Sequence, residues 1–216
     1  MKLIGDSDQI LDFITRQASI IKSNQGNLIK FINTSKFVTG IGLAHPLEIG
    51  FLWHHTLGTP YLPGSSLKGT IKDWAKNWSN ESDDVIKRIF GLGQEKKSNL
   101  HNLNEKLKSE SIGSVIFLDM IPSKRVSLSG SVLTPHYSNY YNGLESPGDW
   151  ESPNPIPFLS VSENNEFQLG ILPRRILNND DKEDCKKVLK WIIEAFEIIG
   201  VGAKTSSGYG RFKFIN

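Results

Sequence analysis

Apolar residues recur along this chain at two spacings, one helical and one alternating, with turn-forming residues between them. In residues 6–22, Ile10, Leu11, Phe13, Ile14, Ala18 and Ile21 follow a helical stripe that Ser7 or Asp8 is placed to cap. Residues 23–26 break it. Phe37, Val38, Thr39 and Ile41, set around Gly40 and Gly42, predict a strand that runs into a flexible loop, and residues 51–53 predict a second short strand. After the turn at Pro63-Gly64, Leu67, Ile71, Trp74, Ala75 and Trp78 return at helical spacing, the mark of an amphipathic helix lying on a sheet. Ser65 or Ser66 is placed to cap its free N–H groups.

Further along, residues 83–90 predict a short helix with Val85, Ile86, Ile89 and Phe90 inward. Residues 114–120 are almost continuously apolar, which predicts a strand buried on both faces, and residues 131–134 predict a weaker one. Residues 158–161 and 167–172 flank Glu163-Asn164-Asn165 and predict a hairpin. Cys185, Val188, Leu189, Ile192, Ala195, Phe196 and Ile199 mark the clearest helix, begun at Asp180-Asp181 and ended by Gly200, and residues 209–215 predict a last strand.

Reduced to its main elements, the order is strand, helix, strand, strand, helix, strand. That is an α+β fold with a ferredoxin-like (RRM-like) split βαβ sheet, two covering helices, an extra N-terminal helix and long loop insertions. No fixed-period repeat or linker divides the chain, so the expectation is one domain over residues 1–216. Within it, 1–26 is an N-terminal helix extension, 91–112 a mobile loop without period, and 135–157, rich in Tyr, Asn, Gly and Pro, a functional insertion.

Composition narrows the chemistry. The formal net charge of +2 means that any polyanion must be met by local patches, not by a massed basic arm. The single Cys185 excludes an internal disulfide and Cys-rich zinc sites, which fits a reducing compartment. With no leader-like N-terminus and no apolar run near the ~18 residues a bilayer span needs, the expected location is cytoplasmic, without membrane contact. No metal or other cofactor is expected, since His54, His55 and a carboxylate make only a weak metal signature.

Lys68, Lys72 and Lys76 form an i, i+4 ladder on the helix after Pro63-Gly64, and Lys68 lies in the first turn, where free N–H groups and the helix dipole favour an anion. The competing interpretation is a solvated basic face. A second candidate is G-V-G-A-K-T-S-S-G-Y-G-R-F, residues 200–212, whose glycines, hydroxyls, Lys204 and Arg211 suit a phosphate. It is not a P-loop, because Gly-Lys-Thr is absent and the loop follows a helix C-terminus. Tyr137, Tyr140, Tyr141 and Trp150 are placed to stack on bases, each for about 1–3 kcal/mol, or to pack on the domain or a neighbour. His45, His54, His55 and His136 fall in predicted loops, as a metal-independent ribonuclease would use them or as surface histidines.

The segment P-Y-L-P-G-S-S-L-K-G with its helix and the glycine-rich C-terminal stretch resemble the two signatures of the RAMP superfamily of CRISPR proteins. L-T-P-H-Y-S-N-Y-Y, D-W-E-S-P-N-P-I-P-F-L and H-P-L-E-I-G-F-L-W-H are similar to the sixth-type RAMP subunits of the type III-B (Cmr) effector complex. The resemblance implies a noncatalytic RNA-binding and assembly subunit near the head of that complex, holding the 3′ part of the guide crRNA or its duplex with target RNA. Its implied partners are other RAMP subunits and the small helical subunit. Residue by residue it implies RNA-backbone contacts from Ser65, Ser66, Lys68, Gly202, Lys204, Ser206, Gly208 and Arg211; Lys72 joins them from the ladder, and Tyr137 and Tyr140 from the insertion. The alternative within the same superfamily is a guide-processing endoribonuclease. Where the backbone subunits of type III complexes carry a slicing Asp, this chain has His45 and Glu48, which argues against slicing.

Overall fold

The computed structural model describes residues 3–42, 49–91, 112–134, 140, 142–146, 148 and 155–215. In chain order the elements are β1 (Leu3–Ile4), α1 (Ser7–Ser23), β2 (Asn27–Asn33), β3 (Trp53–His54), β4 (Thr59–Pro60), α2 (Gly64–Trp78), α3 (Asp83–Phe90), β5 (Val115–Phe117), β6 (Ile121–Pro122), β7 (Val126–Leu133), β8 (Ile156–Val161), β9 (Glu166–Pro173), α4 (Asn179–Ile198), a 3-10 turn (Thr205–Ser207) and β10 (Phe212–Ile215).

Alternation in N-L-I-K-F-I-N puts Ile29, Phe31 and Asn33 of β2 inward, and that strand forms the middle of a sheet ordered β10-β2-β9-β5, every pair antiparallel. This is the strand order of a split βαβ unit. Phe167, Leu169 and Ile171 of β9 point into the core with Phe31 and with Val188, Ile192 and Phe196 of α4; Leu67, Ile71 and Ala75 of α2 complete it. Phe31 and Phe196 meet at 4.7 Å between centroids, their planes tilted by 41°. Each such ring, fully buried, contributes about 1.5–3 kcal/mol.

The other face of β9 carries Gln168 and Gly170 toward α1. Gln168 Nε2 donates to Ile14 O at 3.0 Å and to Gln17 Oε1 at 3.1 Å, while Gln17 Nε2 donates to Asp119 O at 2.8 Å. A Cβ at Gly170 would lie 2.3 Å from Ile21, so the helix seats directly on that glycine. The face on which an RRM stacks its bases is thus partly occupied by α1.

Several expectations need correction. The first strand of the split βαβ sheet is β2, not residues 37–42; Phe37 makes an isolated bridge to Val161, and the chain turns at residues 41–42. β5 covers three residues of the 114–120 segment and exposes Ile116, because this edge of the sheet has α2 on one side only. β8 and β9 do not pair as a hairpin: β8 joins β7 and β1 in a second sheet, and β7 runs from Val126, well before residue 131. Asp6, not Ser7 or Asp8, caps α1. The last strand is confined to β10, since residues 209–211 are drawn into loop bonds.

One side chain welds the two sheets. Asn33, fully buried at the end of β2, donates through Nδ2 to Ser35 O (2.8 Å) and Ser162 O (2.7 Å), and its Oδ1 accepts from Asn165 N (2.7 Å). A second fixed point joins α3, α4 and the start of β5. Asp184, with no exposure, accepts from Arg88 Nε (3.0 Å) and NH2 (2.7 Å) and from Ser114 Oγ (2.7 Å). Ser114 N also donates to Arg88 O at 3.0 Å, so the chain on either side of residues 92–111 leaves and re-enters at one place.

Candidate nucleic-acid interface

The first anion-binding candidate is the entrance of α2. Its N-cap is Pro63, so Ser65 and Ser66 lie inside the first turn, exposed, and do not cap it as expected. The carboxylate of Asp119 does that work: Oδ1 accepts from Gly64 N at 2.7 Å, placing a negative group at the positive end of the helix. A Cβ at Gly64 would lie 2.3 Å from Phe117 O, so only glycine lets the helix start this close to β5. Lys68 and Lys72 are half-buried, and the Lys68 ammonium is pulled below its ordinary range by burial and by Lys72. An external anion there would relieve both costs. Trp78, expected on the buried stripe, is 62% exposed and stacked on Trp74 at 5.4 Å.

The second candidate is the loop between α4 and β10. It is laced to the segment after β2: Ala203 N donates to Val38 O and Gly210 N to Lys36 O, both at 2.8 Å. Gly202, at φ 93°, has no room for a side chain, because a Cβ would lie 2.4 Å from Val38 O. Gly208, at φ 89°, faces open space. Ser206 is exposed on the 3-10 turn. Arg211 NH1 bonds Ile199 O and Tyr209 O, so this guanidinium closes the C-terminal end of α4.

Lys204 holds the left-handed conformation at φ 58°, a backbone state that costs a non-glycine residue about 1–2 kcal/mol. Its Nζ lies 5.5 Å from the Phe158 ring centroid on β8. Beside it Lys36 Nζ reaches Gly130 O (3.2 Å) and Ser131 Oγ (3.4 Å) on β7. Ser131 Oγ and Ser129 Oγ each lie about 3 Å from Ser160 Oγ, at 3.1 and 3.0 Å. The seam between the glycine-rich loop and the second sheet therefore gathers two ammonium groups and three hydroxyls. Lys36, Ser129, Ser131 and Ser160 were absent from the sequence-based set, although the alternation Ser127, Ser129, Ser131 was a visible sign of a one-faced hydroxyl row.

The two candidates are not one pocket. The α2 entrance sits by β5, the loop feeds β10, and β2 and β9 lie between them. Three strand spacings put those edges about 14 Å apart. One phosphate cannot bridge them; a strand several nucleotides long can.

Tyr140 is half exposed, while Tyr137, Tyr141 and Trp150 lie outside the described residues, as do His45, Glu48 and His136. His54 is a packing histidine: its ring meets Phe13 at 5.2 Å and Tyr61 at 5.3 Å, and Nδ1 accepts from Leu57 N at 3.4 Å. Burial lowers its pKa, opposed by Asp119. His55 is exposed. Among the described residues no group of three His, Cys, Asp or Glu is placed to hold a metal ion, and no helix is long and apolar enough to cross a membrane.

A split βαβ sheet whose last strand is fed by a glycine-rich, lysine-bearing loop defines a ferredoxin-like domain. The chain belongs to the RAMP superfamily, whose model matches residues 30–213. It is 30% identical over 230 residues to the CRISPR system Cmr subunit Cmr6 of Pyrococcus furiosus, and 24% identical over 215 residues to the CRISPR system CMR subunit Cmr6 of Saccharolobus solfataricus. These alignments cover 84% and 96% of this chain but 66% and 65% of those proteins, so the chain spans just under two thirds of their length. The fold is also that of a chain in the cryo-EM structure of the type III-B Cmr-beta bound to cognate target RNA, at a TM-score of 0.68 and 21% identity, covering 98% of this chain and 66% of that one.

Proposed function

We propose that this chain is a noncatalytic, cytoplasmic RNA-binding and assembly subunit of a type III-B CRISPR effector complex, forming one RAMP domain that holds the 3′ part of the guide crRNA or its duplex with target RNA. Its partners are the other RAMP subunits and the small helical subunit. The observation that carries the reading is Lys204: a lysine kept in a backbone state that glycine would hold at lower cost, its ammonium presented over Phe158 beside Lys36 and the serine row. Cations without a base-edge reader suit sequence-independent contact with a phosphate backbone, and the serine row, buried at Ser131 and Ser160, anchors Lys36 beneath them. Lys68 and Lys72 with Ser65 and Ser66 extend the track at the far edge of the sheet, and Gly202, Ser206 and Gly208 shape the loop that presents Lys204. The superfamily membership and the Cmr6 relatives support the same assignment. The alternative reading is a guide-processing endoribonuclease, for which His54, its Nδ1 held by Leu57 N between two rings, is used structurally instead.

The test is salt elution of guide RNA from the co-expressed complex. Lys36→Ala and Lys204→Ala should each lower the slope of log K against log salt by about 0.7, the value for one lost phosphate contact on a single strand. Unchanged slopes for both variants in an intact complex would reject the site.

A further inference from the structure

α1 packs on the sheet through Ile10, Ile14, Gln17 and Ile21, yet the adjoining stripe of the same helix borders empty space. Gln9, Asp12, Phe13, Arg16 and Ile20, at the i, i+3, i+4, i+7, i+11 spacing of one helix face, form one wall of a cleft of about 690 Å³. Leu57, Leu118 and Asp119 form much of the other. From Gln9 to Ile20 the cleft follows α1 for about 16 Å. Its floor is apolar, and Ile20 is 51% exposed at one end. This surface meets the α2 entrance at Asp119, whose Oδ1 accepts from Gly64 N, and otherwise lies on the α1 face of the sheet, away from the lysine and serine track.

We propose that this cleft seats a segment of a neighbouring protein subunit, one that brings an apolar side chain flanked by lysine or arginine. Size and lining suit a short helix or an extended stretch of four or five residues more than a small molecule. Charge selects the occupant. The lining carries Asp12 and Asp119 against a single cation, Arg16, which is already paired with Asp12 at 2.8 Å. A phosphate strand entering here would meet a net negative wall. A basic segment would add to the Asp12–Arg16 pair and meet Asp119, whose Oδ1 already accepts from Gly64 N, while its apolar residue covers Phe13, Leu57, Leu118 and Ile20. The inference rests on the proposed membership in a multi-subunit complex, and its failure is separable from failure of the RNA site.

The experiment places a photoreactive benzoylphenylalanine at Ile20 in the co-expressed complex, with RNA retention by salt elution measured on the same sample. A crosslink to another protein subunit, within a peptide that combines Lys or Arg with an apolar residue, is the expected result. Asp12→Lys should lower the yield of that crosslink at least fivefold while leaving guide RNA retention unchanged; Asp12 is exposed in its pair with Arg16, so this variant folds. A crosslink to RNA, no crosslink to any subunit, or a yield indifferent to Asp12→Lys would overturn the proposal. Loss of RNA retention by Lys204→Ala with the crosslink intact would bear only on the RNA site.

Discussion

Arg88 and Asp184 allow a sharp test of what a buried charge costs in this fold. Asp184 has no exposure, whereas the Arg88 side chain is 47% exposed. Removing Arg88 strands a carboxylate that, among the described residues, keeps the Ser114 hydroxyl alone; removing Asp184 lets a guanidinium turn into water. Breaking a buried pair from the carboxylate's side costs about 3–5 kcal/mol, and solvent screening of the half-exposed guanidinium puts Arg88→Ala near the lower end, about 3 kcal/mol. Asp184→Ala loses the pair and leaves the Ser114 hydroxyl unpartnered, about 2 kcal/mol. The double variant buries no charge, so it should be more stable than Arg88→Ala alone, a strongly non-additive outcome. Urea unfolding followed by tryptophan fluorescence reads this directly, because Trp191 lies 6.3 Å from Phe90 in the adjoining core. If the double variant proves less stable than Arg88→Ala, the stranded-charge argument is refuted.

Other outcomes follow from single sites. Lys204→Gly should raise the melting temperature by relieving the left-handed lysine, by about 1 kcal/mol of stability, while weakening RNA retention; a drop in both would contradict the assignment. Burial, aided by Asp184 and Asp181, pushes the Cys185 thiol up to about 12, so a maleimide dye should label it only on unfolding; rapid labelling of native protein would show the site to be open. The Arg175 hydrogen bond holds the Asp181 carboxyl below its ordinary value. A depressed folded pKa gives stability that is complete above the usual carboxylate range and lost as pH falls through the folded value. Asp181→Asn should therefore flatten the acid limb of a stability-against-pH curve, and an unchanged limb would count against this ion pair.

The two major helices and α1 were legible because their apolar stripes are long and unambiguous; Asp83–Phe90 matches its predicted bounds. The ferredoxin-like order was legible too, although its first strand was misplaced. N-L-I-K-F-I-N interleaves one Lys and two Asn with its apolar residues, and Asn33 reads as a turn residue when it is in fact a fully buried joint. The second sheet stayed hidden because β7 and β8 pair across a long insertion, a relation that local pattern does not encode. For the site, Lys204 and its glycines were visible as a motif. Lys36 was not, since its meeting with Ser131 depends on contacts 95 residues apart in sequence. The reading of Ser65 and Ser66 as caps failed because a carboxylate from the link between β5 and β6, Asp119, took the position first.

Because the chain departs after Gly91 and returns at Ser114 through one latched gap, residues 92–111 mark a natural splice point. A fluorescent or affinity label joined between those two flanks would leave the latch of Arg88, Ser114 and Asp184 in place and both termini untouched.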